Sequence, residues 1–441
     1  MNTPIFDFLQ NYSRSNTLRC HMPGHKGIGF PLPFSFDITE INGADSLFEA
    51  DGIISQSEKI MSSLYGTQST VYSAGGSTLC IQAMLKIVKD EGRKVFAVRN
   101  VHRSFLNACA LFDIDVQWII PDYTDGILSG TIDLQKVESL LSKETAPSCL
   151  YVTSPDYTGK IADIQSLAQI CHRYGSVLVV DNAHGSHLHF FDKSIHPIYL
   201  GADMCCDSAH KMLPALTGGA MLHTSSKKYA PLLKNAMSIT GSTSPSYLVL
   251  LSLDLCNRYI YESIRSDIKV GTQSISTLKA RFSQSLIFSD GDPFHITVKA
   301  SECGLNGNEL ADELRNNGVE CEYSDSRILV LLMSPLNTQA DYIRLSSALE
   351  KSLKNVKKYP PSESRFTMSL PQKAMSIREA VFSPQEEIPV ECAEGRVCAS
   401  VKVPCPPAIP IVASGEVVNS ESIVLFKKYG IKSIIAVKDM R

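Results

Sequence analysis

Between residues 70 and 225, short apolar, β-branched runs alternate with amphipathic stretches, and this alternation restricts the fold more than any other feature. The runs at 95–98, 116–120, 149–153, 177–180 and 204–206 read as buried strands. Between them, Leu79, Cys80, Ala83, Met84, Ile87 and Val88 share one helical face. Ile164, Leu167, Ala168, Cys171 and Tyr174 do the same behind Asp163, a candidate cap. Helices and strands alternating in this way predict an α/β fold with a mostly parallel sheet covered on both faces.

At 441 residues the chain exceeds what one hydrophobic core usually serves, so smaller units are expected beside the large one. Ser, Thr, Gly and Pro crowd together at 237–247 and predict a loop before a helix. Beyond it, 294–299 and 328–333 read as strands flanking a helix near 307–317, and a long amphipathic stretch follows at 338–354. Residues 359–364 read as a linker, and the proline-rich run 404–410 marks a tail with little helix. The expected organisation is an N-terminal arm over 1–55, a large domain over 56–260, a small α/β domain over 261–358 and a C-terminal domain over 359–441.

A composition of 44% apolar and 20% charged residues suits a soluble globular protein, and a net charge of -3 offers no basic footprint for nucleic acid. A small-molecule partner is expected. The 13 cysteines are scattered, and the adjacent Cys205 and Cys206 cannot form the spaced pairs of a zinc knuckle, which predicts reduced thiols. The first ten residues lack the basic start and apolar stretch of a signal peptide, and no apolar run is long enough to span a bilayer. A cytoplasmic protein without a membrane partner is the expectation.

Three segments carry chemistry. Ser73-Ala74-Gly75-Gly76-Ser77-Thr78 enters a helix, where backbone N–H groups, hydroxyls and the helix dipole suit a phosphate monoester. The same residues also suit a glycine turn with a serine cap, and the Lys of a nucleoside-triphosphate loop is missing. Asp181 follows a buried run, so it stands at the carboxyl end of a strand, where open α/β sheets bind ligands. A carboxylate there wants a cation, which a protonated pyridine nitrogen would supply; a turn or helix-capping Asp is the plainer alternative. Ser208-Ala209-His210-Lys211 follows the next strand, 30 residues past Asp181, and puts an amine at the sheet's mouth. In a partly dehydrated, cation-flanked site that amine could attack an aldehyde, whereas a solvated loop Lys would stay inert.

The histidines suggest less. His102, in a loop after a strand, could lay its ring on a flat cofactor or be structural. His184, His187 and His189 invite a metal, yet their spacing is no strong zinc signature, and Pro23-Gly24 breaks any helix that would align His21 with His25. No metal site is expected.

Taken together, these segments resemble, over nearly the whole chain, the bacterial ornithine/lysine/arginine decarboxylase family, especially its shorter members. The opening signature is similar in His21-Met22-Pro23-Gly24-His25-Lys26-Gly27, in 37–41 and in Ser57-Glu58. The cofactor segments are similar in Gly76-Ser77-Thr78, 99–104, 154–159, Asp181-Asn182-Ala183-His184-Gly185-Ser186-His187 and Ser208-Ala209-His210-Lys211. Residues 242–247 and Arg378-Glu379-Ala380 match as well.

The resemblance implies a pyridoxal 5'-phosphate enzyme of fold type I, the aspartate-aminotransferase-like architecture, with a mostly parallel seven-stranded sheet. Lys211 would bind the cofactor aldehyde as a Schiff base, Asp181 would pair with the pyridine nitrogen and His102 would stack on the ring. Gly76, Ser77, Thr78, Ser208 and His210 would hold the phosphate end, with Ala183 and His184 also lining the cofactor. The site would lie at a homodimer interface, where Thr243 and Ser244 reach the neighbour's phosphate. The implied reaction is decarboxylation of arginine, lysine or ornithine to agmatine or a diamine, with His210 or Lys211 returning a proton to the α-carbon and polyamine supply as its purpose. Asp45, Glu49, Glu391 and Glu416 are candidates for the substrate's distal cation.

Two departures stand out: Asn182 where the family usually has Glu, and Cys405 and Ala408 within a tail motif. The receiver-like N-terminal wing of the long members has no counterpart, so their large assemblies and acid-stress role are not expected. Three rival readings remain: an aminotransferase or lyase clamping the α-carboxylate through Arg315 or Arg327, a non-catalytic cofactor or polyamine binder, and a metalloprotein using the histidines at 184–189.

Overall fold

The computed structural model describes residues 16–20, 45–124, 126–362, 368–400 and 409–438. The signature at 21–27, the segment 37–41 and the tail positions Cys405 and Ala408 lie outside the described residues.

Seven strands form the central sheet: β1 (Ser69–Ser73), β2 (Lys94–Val98), β3 (Val116–Ile119), β4 (Ser148–Thr153), β5 (Val177–Asp181), β6 (Met204–Asp207) and β7 (Ala220–Thr224). Their spatial order is β1-β7-β6-β5-β4-β2-β3. The run from β6 to β3 is parallel throughout, and β7 is antiparallel to both of its neighbours. Within β5 the side chains alternate between two cores, as a pleated strand requires. Val177 and Val179 join the cluster that includes the helices α2 (Gly76–Asp90) and α3 (Arg103–Phe112). Leu178 and Val180 join the one that includes α4 (Ile164–Arg173). Burial on both faces is why these strands read as unbroken apolar runs.

Parallel strands deliver their carboxyl ends to one edge. The segments that leave β2, β4, β5 and β6 there are those holding His102, Tyr157, Asp181 and Lys211. β1, which lies parallel to β6 through their shared neighbour, leads into Ser77 at the same edge. The expected strands are present, and so are both expected helical faces save for Tyr174, which ends α4 as its exposed C-cap; Asp163 accepts a hydrogen bond from the Ser166 N–H as the cap of α4.

Two long helices, α5 (Tyr247–Glu262) and α6 (Ile264–Phe282), meet at Ser263. The expected division at 260/261 falls beside this break, yet Leu253, Cys256, Ile260, Ile264 and Ile268 belong to one continuous core cluster. Beyond it, β8 (His295–Val298), β9 (Tyr323–Ser324) and β10 (Leu329–Leu332) pair antiparallel in the order β8-β10-β9. The helices α7 (Gly307–Asn316) and α8 (Gln339–Asn355) complete this smaller α/β layer, α8 opening on a Thr338/Asp341 capping box. The tail adds a second three-stranded antiparallel sheet, from Gln385–Pro389, Cys398–Ser400 and Ser433–Val437. It is tied to the large sheet by a buried ion pair, Arg99 to Glu416 at 2.6 Å, with the Arg99 guanidinium also 4.4 Å from the Trp118 ring centre. Among the described residues no helix is long and apolar enough to cross a membrane.

Candidate active site

Lys211 lies in the single turn that follows β6, half-buried, with its Nζ 2.7 Å from Nε2 of His184. His184 is itself buried, and burial first, then the nearby Lys211, His295, His102 and His210, holds its imidazole well below the ordinary value. His184 therefore stays neutral at physiological pH. Asp181 ends the adjacent strand with 3% exposure, accepting from the Ala183 N–H at 3.1 Å and lying 3.6 Å from the Cys206 thiol. Burial raises its pKa, and Lys211 is the foremost influence opposing the rise. The two stand at the ends of neighbouring parallel strands, β5 and β6, on the same edge of the sheet.

His102 caps α3: its Nδ1 accepts from the Ser104 N–H at 3.2 Å and lies 2.8 Å from the Ser104 hydroxyl. This fixes the proton on Nε2. Burial, followed by Lys211 and Arg103, lowers its pKa to about 4, so the ring is neutral. A sequence reading that left His102 between cofactor contact and structural loop thus finds it both a cap and an electrostatic neighbour of Lys211.

At the same edge, the N-cap of α2 is Gly75, which has no side chain to cap it: the Gly76 N–H donates to the Gly218 carbonyl, and among the described residues no side-chain cap bond reaches the rest of the first turn. Gly76 stands at φ 69, with open space where a side chain would project. The Ser208 hydroxyl donates to the Ser77 hydroxyl at 3.0 Å, which brings the two separate serine segments together. His210 has its Nδ1 3.0 Å from the Gly219 carbonyl, to which that nitrogen donates. Thr78, Gly75 and Ala74 share a pocket with Thr240, Gly241 and Ser244 of the chain's own 240–246 loop. Thr243 and Ser244 are exposed there.

The remaining candidates have other partners. Asp45 accepts N–H groups from Asp51, Gly52, Ile54 and Ser55 and so caps the first helix among the described residues, α1 (Ile53–Tyr65). Glu49 accepts from the Ser46 hydroxyl, Glu416 holds Arg99, and Glu391 is exposed with Lys427 at 3.9 Å. Arg315 is paired with Asp312 and Glu320, and Arg327 donates to the Thr124 carbonyl. Asn182 donates to Asp207 at 2.6 Å. Asp207 also faces His196 at 3.1 Å and His223 at 3.2 Å, and the two imidazoles hold its carboxyl below the ordinary range against the effect of burial. These three are the group among the described residues whose ligand atoms lie within 4.8 Å of one another. Asn182, where the family usually has an acid, thus sits on a buried carboxylate that a second acid would repel.

Sequence reading missed the partners of His184 and His187. His184 Nδ1 lies 3.1 Å from His295 Nε2, His295 Nδ1 lies 2.8 Å from Asp292, and His187 Nε2 lies 2.9 Å from the same carboxylate. Gly159 makes this approach possible, because a Cβ there would stand 2.3 Å from that of His295. The third histidine, His189, is 3.2 Å from the Ser194 hydroxyl.

A mostly parallel seven-stranded sheet with its ligand edge at the strand ends, joined to a smaller α/β layer, is the architecture of fold type I pyridoxal-phosphate enzymes. Solved structures with it include Pseudomonas aeruginosa lysine decarboxylase A, at TM-score 0.74 and 16% identity over 99% of this chain and 76% of that one. The Francisella novicida lysine decarboxylase is similar, at TM-score 0.71 and 17% identity over 92% of this chain and 72% of that one. The chain belongs to the Orn/Lys/Arg decarboxylase family: the family's major-domain model matches residues 3–300 and its C-terminal-domain model matches 356–429. Its relatives include an arginine decarboxylase of Bacillus anthracis, 28% identical over 97% of this chain and 92% of that protein. Bacillus subtilis (strain 168) has an arginine decarboxylase at 27% identity over 96% and 92%, and an uncharacterized protein, YaaO, at 29% over 96% and 93%.

Proposed function

We propose that this chain is a pyridoxal-phosphate-dependent decarboxylase of a basic L-amino acid, active as a cytoplasmic homodimer and supplying agmatine or a diamine for polyamine synthesis. The observation that carries the proposal is an amine 2.7 Å from a buried, neutral imidazole, with a buried carboxylate at the end of the next strand. The residues present fit the cofactor. Asp181 has no cationic side chain hydrogen-bonded to it among the described residues, and a protonated pyridine nitrogen would supply that charge. The uncapped start of α2, beside the Ser77 and Ser208 hydroxyls, suits the phosphate, with Gly76, Thr78 and His210 near it. The described cysteines are all thiols, which suits a reducing compartment.

Pyridoxal phosphate, joined to the substrate amine, supplies an electron sink for the pair left behind when carbon dioxide departs. The chain's own residues do the rest. Asp181 keeps a positive charge at the ring nitrogen, and the neutral His102 ring offers a face for stacking rather than a competing charge. Lys211, held by His184, would return a proton to the α-carbon. Ala183 contributes the N–H that orients Asp181. Thr243 and Ser244 are proposed to meet the phosphate of the partner's site, so monomers would be inactive.

Arginine is the first substrate to test, because full-length relatives carry that name. Assay of the purified protein with arginine, lysine and ornithine, following carbon dioxide and keto acid together, tests the reading. Carbon dioxide from at least one of them supports it. Keto acid without carbon dioxide would replace it with transamination, and neither product with all three would remove it.

A further inference from the structure

His184, His187, His295 and Asp292 form a buried hydrogen-bonded chain that ends on Lys211, and the donors and acceptors along it are not interchangeable. Every side chain from His184 to Asp292 is at most 6% exposed, so water cannot reset the pattern. Asp292 is held ionised: burial opposes the charge, but His187 and His295 keep its carboxyl below the ordinary range. A carboxylate only accepts, so His295 must carry its proton on Nδ1. The bond between His295 Nε2 and His184 Nδ1 needs one donor and one acceptor; where His295 accepts, the His184 proton stands on Nδ1 and a lone pair is left on His184 Nε2. That atom faces the Lys211 amine at 2.7 Å. An ammonium has only donors, so the Lys211 end imposes the same polarity as the Asp292 end.

We propose that Asp292 and His295, contributed from the smaller α/β layer, are positioning residues that lock His184 as a fixed hydrogen-bond acceptor toward Lys211. The consequence for turnover rests on Lys211 being the cofactor's amine; the locked tautomer does not. In turnover the lock keeps the released lysine amine aimed and protonated, ready to donate, while His184 never competes as a second donor. Other titratable groups that face this chain include Asp181, His102 and His210 near Lys211 and His184, Tyr157 edge-on to the His184 ring, and Lys279 near Asp292.

The substitution Asp292→Asn separates this role from simple packing. The Phe294 N–H donates to Asp292 Oδ1 at 3.2 Å, so the amide oxygen must occupy that side and the amide nitrogen must face His295. The nitrogen donates to His295 Nδ1, which drives its proton to Nε2 and reverses the chain. His184 then presents Nε2–H to the lysine, which favours a free amine over an ammonium.

The test uses the full chain in its cofactor-free form, labelled with isotopic nitrogen in histidine and read by NMR, with the His184 signal assigned through His184→Asn. In the unsubstituted protein His184 is expected to be protonated on Nδ1, and in Asp292→Asn on Nε2. A lysine pKa lowered by about one unit would make Lys211 acetylate about tenfold faster at neutral pH, as followed by peptide mass mapping. A His184 protonated on Nε2 in the unsubstituted protein overturns the proposal, and so does an Asp292→Asn protein with tautomer and acetylation rate unchanged. Should that variant not fold, the spectrum of the unsubstituted protein alone decides. Because no turnover is measured, failure of the decarboxylase reading and failure of this one are told apart.

Discussion

Replacing Asp181 by Asn should abolish most turnover while leaving the cofactor-free fold at least as stable. Unit charges roughly 4 Å apart at an effective dielectric of about 20 attract by about 4 kcal/mol. The amide keeps an acceptor oxygen, and a neutral hydrogen bond retains about 1 kcal/mol of that. The remaining loss of about 3 kcal/mol corresponds to a fall in kcat of about two orders of magnitude. Stability moves the other way. Burial raises the Asp181 pKa above its unfolded value, so its contribution to stability is greatest at low pH and falls as pH rises through the folded-state pKa. At neutral pH the amide removes that penalty. The assay is carbon dioxide release at saturating substrate and cofactor, with thermal unfolding of the cofactor-free protein beside it. A variant that turns over within threefold of the parent would refute the role of the charge, and one that no longer folds would refute the reading of Asp181 as a group whose burial costs stability.

Removing either hydroxyl of the facing pair, by Ser77→Ala or Ser208→Ala, should weaken cofactor binding about tenfold or more, on the scale of one charge-assisted hydrogen bond; equilibrium titration reads it, and an unchanged affinity for both would move the phosphate elsewhere. Glu416→Gln should destabilise the protein by about 3 kcal/mol, because it strands the buried Arg99. The double change Arg99→Met with Glu416→Leu should cost less, since burial raises the Glu416 pKa more than Arg99 lowers it. Thermal unfolding compares the two, and a double variant worse than the single one would contradict the argument.

The strands were legible where both faces are buried, as in Val177 to Val180, because an unbroken apolar run has few other uses. β1, with Ser69, Thr70 and Ser73 among its five residues, and β7, which carries His223, gave no such run. In β7 the imidazole points into a buried polar group with Asp207, an environment no local pattern announces. The helix α6 escaped although its signal was present: Ile264, Ile268, Gly271, Ile275, Leu278 and Phe282 recur at helical spacing on its buried face. The tail sheet hid because Gln385-Glu386-Glu387 is a polar strand. Lys211, Asp181 and Ser208 could be placed because each directly follows or ends a recognisable strand. His295 and Asp292 could not: they lie 111 and 105 residues from the histidines they hold, and nothing in the local sequence distinguishes them from a strand residue and a turn acid.

Borohydride reduction of the cofactor-loaded protein, followed by digestion and mass mapping, tests the central claim most directly. The account predicts one modified peptide, carrying a pyridoxyl group on Lys211 and accompanied by loss of the yellow colour. A pyridoxyl group on any other lysine, or a protein that binds the cofactor and yields no modified peptide, would contradict it.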